Sequence, residues 1–187
     1  SNPLTIRRSG ATSRSPSSGV PHLPIGDGLR VSQPRRWLGS ERGRGARNAA
    51  SERSRNLVAR MNVEDIAVVF ADAHADGFVR EDRRRVIGLP TADRVEFLEQ
   101  VRAWTHMDDG KPSFDVTEVA EVAGDRLVLC GVSISYESGS CSEMLQVILF
   151  DHAVDRIERH VSFDSDDLDG ARAELVRLHH ELQSRSP

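Results

Sequence analysis

Cysteine, lysine and tyrosine are almost missing from this 187-residue chain, and each shortage narrows what it can be. The two cysteines, Cys130 and Cys141, stand alone in strand-like stretches. That pattern gives neither a disulfide framework nor a zinc site, and a reducing compartment is the default. Lys111 is the single lysine beside 24 arginines, an imbalance that fits GC-rich coding better than selection for guanidinium chemistry. No apolar run approaches the roughly 18–20 residues of a spanning helix, and no continuous apolar core of a secretory signal is present. The expectation is a cytoplasmic protein with no membrane partner.

What is present is unevenly distributed. Residues 1–50 carry nine arginines against Asp27 and Glu41, a net +7, whereas residues 51–187 carry 16 bases against 27 acids, a net −11. The overall charge of −4 hides this split. Residues 1–49 are rich in Ser, Gly, Pro and Arg and hold too few large apolar residues to offset the entropy of ordering them. They are expected to form a basic, disordered tail or linker. Arg35, Arg36, Arg42, Arg44 and Arg47 around Trp37 also suit an arm for nucleic acid. The single aromatic and the acidic remainder of the chain argue against nucleic acid as a partner. Gly26-Asp27-Gly28 and Gly43-Arg44-Gly45 are too short for phosphate loops.

Residues 50–187 read as one α+β domain. A helix through Leu57 and Met61 is followed by a second, with Asn62 as cap and Asp65 three residues on, so that the two make a helical hairpin. Phe78 to Ile87 reads as extended, with the charged run 80–85 in its middle. Thr91 is placed to cap a third helix carrying Phe97, Leu98, Val101 and Trp104 on one side. Asp108-Asp109-Gly110-Lys111-Pro112 is a turn cluster. Four strand-like runs follow, Phe114–Val122, Leu127–Tyr136, Ser142–Phe150 and Ile157–Asp164, joined by short polar turns as an antiparallel meander. A last helix, capped by Ser165 or Asp166, spaces Leu168, Ala171, Leu175, Leu178 and Leu182 as a buried stripe. This order excludes a parallel nucleotide-binding sheet.

Several phrases in sequence resemble the SnoaL-like branch of the nuclear transport factor two-like superfamily. They are Asp82-Arg83-Arg84-Arg85-Val86-Ile87-Gly88-Leu89, Gly124-Asp125-Arg126-Leu127-Val128-Leu129, Leu145-Gln146-Val147-Ile148-Leu149-Phe150-Asp151 and Phe163-Asp164-Ser165-Asp166-Asp167-Leu168-Asp169-Gly170-Ala171. The resemblance spans roughly residues 49–184. It implies a cone-shaped, curved antiparallel sheet wrapped by helices, a cystatin-like α+β barrel. It also implies a pocket between sheet and helices and a homodimer formed through the sheet. Members run from polyketide cyclases, isomerases and dehydratases to binding modules without catalysis, so fold does not fix function.

Strand alternation sorts the side chains by face, if the turns pair Glu118 with Gly131, Ser133 with Leu145, and Val147 with Arg159 or its neighbour. One face then carries Val116, Glu118, Leu129, Ser133, Ser135, Glu143, Leu145, Val147 and Leu149. The other carries Asp115, Thr117, Cys130, Val132, Ile134, Tyr136, Met144, Gln146 and Ile148. In the SnoaL-like cyclases the last strand reads Ile-x-x-His-Trp-Asp and its acid transfers protons. The matching run here is Ile157-Glu158-Arg159-His160-Val161-Ser162, which keeps the histidine and puts a hydroxyl where the acid stands; that hydroxyl is no general acid or base near neutral pH.

The resulting candidate site has His160 as base and Glu143 as its orienting partner. Glu118, Ser133, Ser135, Ser162, Trp104 and Asp82 contact the substrate, and no metal or cofactor is called for. A surface or core histidine, solvated strand glutamates and a charged strand edge at Asp82 are the plainer readings of the same residues. Trp104 and Tyr136 suit either aromatic walls or core packing. His179 and His180 are adjacent on a helix and cannot face one ion, and Ser133 and Ser135 lack a nucleophile elbow. The expected activity is cofactor-free proton transfer on a hydrophobic carbonyl compound, as in cyclisation, isomerisation or dehydration. The alternative is a non-catalytic accessory or regulatory module that binds a ligand or dimerises.

Overall fold

A computed structural model describes residues 46–105 and 111–185; all but the last four residues of the expected tail, and most of the turn cluster at 108–112, lie outside these. Ten elements follow in order: α1 (Ala49–Val63), α2 (Ile66–Ala73), β1 (His74–Asp82), β2 (Ala92–Asp93), α3 (Arg94–Thr105), β3 (Ser113–Ala123), β4 (Leu127–Ser135), β5 (Cys141–Phe150), β6 (Ile157–Asp164) and α4 (Leu168–Arg185). The strands form one curved, unclosed sheet in the order β2-β1-β6-β5-β4-β3. The meander β3 to β6 is antiparallel, as its turns require, but β1 lies parallel to β6. The expected antiparallel sheet is thus mixed at one seam.

Local chemistry explains the element boundaries, and it shifts several caps from their expected residues. Asn48 caps α1 in a reciprocal box with Ser51. Asp65, not Asn62, caps α2, accepting from the Ala67 and Val68 amides at 2.8 and 3.2 Å. Asn62 instead pairs with both backbone groups of Phe114, at 2.8 Å each, tying the helical hairpin to β3. Asp93, rather than Thr91, begins α3 in a second box with Glu96. Asp167, rather than Ser165 or Asp166, accepts from the Gly170 amide at the start of α4. The strand expected over 78–87 starts earlier and ends at Asp82, because Arg83 to Arg85 turn away.

The sheet is buried on both faces. One face packs Val119, Val128, Cys130, Val132, Ile134, Met144 and Ile148 against Leu57, Met61, Ile66, Val69, Phe70 and Val101 of the first three helices. The other packs Leu127, Leu129, Leu145, Val147, Leu149, Val161 and Phe163 against Ala171, Leu175 and Leu178 of α4. Two irregularities in β3, at Val116/Glu118 and Val119/Glu121, shift its register and bend the sheet around α1 to α3. Gly131 sits opposite the first: a Cβ there would lie 2.6 Å from Thr117 Oγ1. α4 therefore occupies much of the sheet face through which a dimer was expected, and the part it leaves open carries Asp115, Ser135 and Cys141.

Leu178 is 1% exposed and Val176 is 52% exposed on the same helix. Leu178→Ala is expected to cost about 2–4 kcal/mol through lost burial and a residual cavity, whereas Val176→Ala changes stability by under about 0.5 kcal/mol. Urea unfolding of the two variants checks which face of α4 is docked, and equal losses would contradict this packing.

Candidate functional site

The seam between β1 and β6 gathers ionisable side chains on the concave face, under α3. Parallel pairing sets Arg80 beside His160 and Asp82 beside Ser162, and partners across adjacent strands point to the same side. Antiparallel pairing continues these rows, His160 beside Ile148 and Ser162 beside Gln146. His160 and Ser162 therefore belong with the face that packs on α1 to α3. Alternation sends Glu81 and Arg83 the other way, where Arg83 meets the buried Glu174 of α4 at 3.0 Å.

Phe97 of α3 is the hub of the group. Its ring meets Phe70 edge-on at 5.4 Å, His74 at 5.3 Å and His160 at 6.3 Å, and it lies 5.3 Å from Phe78. The Arg80 guanidinium lies 5.7 Å from the same ring, a cation held over an aromatic face. Arg80 also donates to the Pro90 carbonyl at 2.7 Å and to Gln100 Oε1 at 3.1 Å, which holds the loop after β1 against α3.

Charge in this group is constrained by burial. The Asp82 side chain is fully buried. Burial opposes its ionisation, but Arg84 grips it with Nη2 at 2.6 Å and Nε at 2.9 Å, so its pKa falls below the usual carboxylate range. Arg80 stands 3.6 Å away. Two guanidiniums against one carboxylate leave the group net positive. His160 is pushed down to about 3, chiefly by burial, with His74 and Arg80 adding to the effect and Asp82 opposing it. His74 falls to about 4, again chiefly through burial, against a hydrogen bond to the Phe70 carbonyl. Both imidazoles are neutral near pH 7.

Three buried polar atoms of this group have no hydrogen-bond partner among the protein's own atoms: His160 Nε2, His74 Nε2 and Arg80 Nε. Such atoms are uncommon in native interiors because leaving one unpaired costs roughly 1–3 kcal/mol. Among the described residues no three His, Cys, Asp or Glu side chains cluster as metal ligands would.

The expected site residues divide between the two faces. His160, Ser162, Asp82 and Trp104 share the concave side. Glu118, Ser133, Ser135 and Glu143 lie on the opposite side, where Glu118 pairs with Gly131 as expected but Ser133 pairs with Glu143, not Leu145. Val147 pairs with Val161. Glu143 is thus separated from His160 by the thickness of the sheet and does not orient it. Ser133 and Ser135 instead approach the exposed Cys141, at 3.2 and 3.7 Å. Asp82 is on an interior strand, between β2 and β6, not on an edge. Trp104 donates to the Tyr136 hydroxyl at 2.7 Å and meets its ring edge-on, so the two form a packed pair rather than parallel walls. Sequence reasoning missed His74, Arg80 and Phe97. The signal for Arg80 was available, since in an interior strand the run 80–83 places Arg80 and Asp82 on one face.

Two clefts, of about 310 and 500 Å³, open elsewhere, along the C-terminal half of α4 beside Glu158, Leu182 and Arg185. Neither is lined by the concave group, which is filled by its own aromatic rings.

Neutral buried histidines make acid destabilising. The unfolded chain binds protons below about pH 6.5, while the folded one resists until about 4 and 3. The stability this difference supplies is present in full above pH 6.5 and is lost as pH falls through that window. Urea unfolding is expected to show a loss of roughly 1–2 kcal/mol per histidine between pH 7 and pH 5. His160→Gln should flatten the dependence by about half, and a profile level in the parent protein would show the imidazoles to be solvated.

No protein-family model and no curated protein matches this sequence. Solved structures do. PrhC from Penicillium brasilianum is 11% identical, with 74% of this chain and 92% of that one covered at a TM-score of 0.50. AusH from Aspergillus nidulans is 14% identical, with 63% and 84% covered at 0.50. A protein of the SnoaL-like family from Agrobacterium tumefaciens is 15% identical, with 62% and 96% covered at 0.48. No helix among the described residues is long and apolar enough to cross a membrane. At these identities the likeness is one of architecture, and it agrees with the motifs: the chain has the helix-wrapped, curved α+β sheet that its resemblance to the SnoaL-like branch implies.

Proposed function

We propose that the concave face binds a hydrophobic small molecule bearing a carbonyl group and moves a proton on it without a cofactor. The observation that carries this reading is the pairing of β1 with β6, which puts an unpartnered imidazole, His160, next to an unpartnered guanidinium N–H, Arg80. Apolar walls with a few convergent polar atoms are the usual make-up of a small-molecule site.

Arg80 Nε would donate to the carbonyl oxygen, and the net positive charge there would favour an enolate over the ketone. That lowers the cost of removing the proton on the adjacent carbon. His160 Nε2 would take that proton and return it to another position or to an oxygen that leaves. A buried, weakly basic imidazole suits this only because Arg80 carries much of the load. Asp82, beside Ser162 in the neighbouring strand, would steady the imidazolium as it forms; in the family pattern the acid stands on the last strand itself. Phe97 fills the space a ligand needs, and α3 buries only Val101 fully, so entry would proceed by displacement of Phe97 and its helix.

Exchange of the α-protons of 2-tetralone into D2O, followed by proton NMR, measures proton transfer without knowledge of the natural substrate. The protein is expected to speed exchange above buffer, evenly from pH 5 to 8 because His160 stays neutral across that range. His160→Gln should lower the rate by about 100-fold or more. Background exchange with the parent protein would refute the catalytic role; binding of the ketone without exchange would mark a ligand-binding module instead.

A further inference from the structure

We propose that His74 determines specificity at the concave site, as a fixed hydrogen-bond acceptor that selects carbonyl compounds also carrying a hydroxyl group. This rests on the reading that the concave face binds a carbonyl compound, and it adds the chemistry of the second group.

His74 is the residue at which α2 ends and β1 begins. Its Nδ1 lies 2.6 Å from the Phe70 carbonyl oxygen, one helical turn back. A carbonyl can only accept, so Nδ1 carries the hydrogen, and the other nitrogen of a neutral ring is then a bare acceptor. That nitrogen, Nε2, is sealed from solvent and finds no donor in the protein.

The ring is also fixed. It stacks on Phe70 at 5.3 Å and 16° and meets Phe78 edge-on at 4.2 Å and Phe97 at 5.3 Å. A rotation that exchanged the nitrogens would break the bond to Phe70. Donating to the Phe70 carbonyl needs one N–H, and the second ring nitrogen adds nothing to that bond. The extra acceptor is a liability in the fold alone and an asset only when something donates to it.

Around Phe97 the site therefore offers one sealed acceptor at His74, one sealed donor at Arg80, and the imidazole of His160, whose charge is coupled to that of His74. A ketone satisfies the donor and leaves His74 unpaired. A hydroxyketone satisfies both, and sites built to pair a hydroxyl discriminate strongly against analogues that lack it.

Two measurements on the full chain test this. Long-range proton–nitrogen NMR of the histidine side chains reads the tautomer directly and is expected to show His74 protonated at Nδ1; protonation at Nε2 overturns the proposal. Calorimetric titration compares 2-tetralone with its 5-, 6-, 7- and 8-hydroxy derivatives. The best hydroxyketone is expected to bind the parent protein about tenfold or more tightly than 2-tetralone. In His74→Phe that preference should fall to about one, with the affinity for 2-tetralone kept within about threefold. Equal binding of all the ketones by the parent, a preference that survives in the variant, or loss of 2-tetralone binding from a variant that keeps its fold overturns the role of His74 and leaves the concave site standing. If the parent binds none of the five, the reading of the concave site fails and the role of His74 fails with it.

Discussion

The parallel seam between β1 and β6 is the constraint on which the rest of this molecule depends. A meander of four strands delivers β6 beside β5 by local turns alone, but β1 enters from the helical hairpin some 75 residues earlier in the chain. Its register against β6 decides which half of the run Arg80-Glu81-Asp82-Arg83 faces the aromatic rings and which half faces α4. A slip of one residue would turn Arg80 and Asp82 onto α4 and bring Glu81 and Arg83 under Phe97. The observed register is held on both faces by charge: Arg84 clamps Asp82 on one side, and Arg83 reaches the buried Glu174 on the other. A charged sequence that reads as a solvated edge thus works as an interior strand, because the buried carboxylates of Asp82 and Glu174 each have a geometrically suited arginine.

Burial on both faces gives the two sides different tasks. The face under α4 is almost wholly aliphatic at its centre and anchors the sheet. The face under α1 to α3 mixes aromatic rings with two histidines and an arginine, and leaves three of their polar atoms without partners. The same low-polarity surroundings that hold the imidazoles neutral also strengthen any hydrogen bond a ligand would bring. Cys130, in the same face, has its thiol pushed up to about 12 by burial and is inert packing.

Alternation grouped most of the sheet residues correctly, and its failures are instructive. Val116 and Asp115 lie on the faces opposite to those expected, because the irregularity before Glu118 adds a residue to β3 and inverts the parity upstream of it. Nothing in the pattern of β3 marks that extra residue; Gly131, whose missing side chain makes room for Thr117, is its only trace. The displaced caps have a similar cause. Asn62, Asp65, Thr91 and Asp93 are all competent to begin a helix, and the choice falls to whichever is not needed elsewhere, as Asn62 is by β3.

By itself the sequence determined the helices and the strands other than the short β2, the meander with its turns, the buried stripe of α4 and the presence of His160 on the last strand, since these rest on local periodicity and turn chemistry. Only the tertiary structure decided which sheet face the first three helices cover, and so separated Glu143 from His160 and joined Arg80, Asp82 and His74 to it. The physical reason is that alternation specifies two faces but not their labels: both are apolar enough to be buried, and a contact such as that of Arg80 with His160, far apart in the chain, leaves no periodic mark on the residues between them.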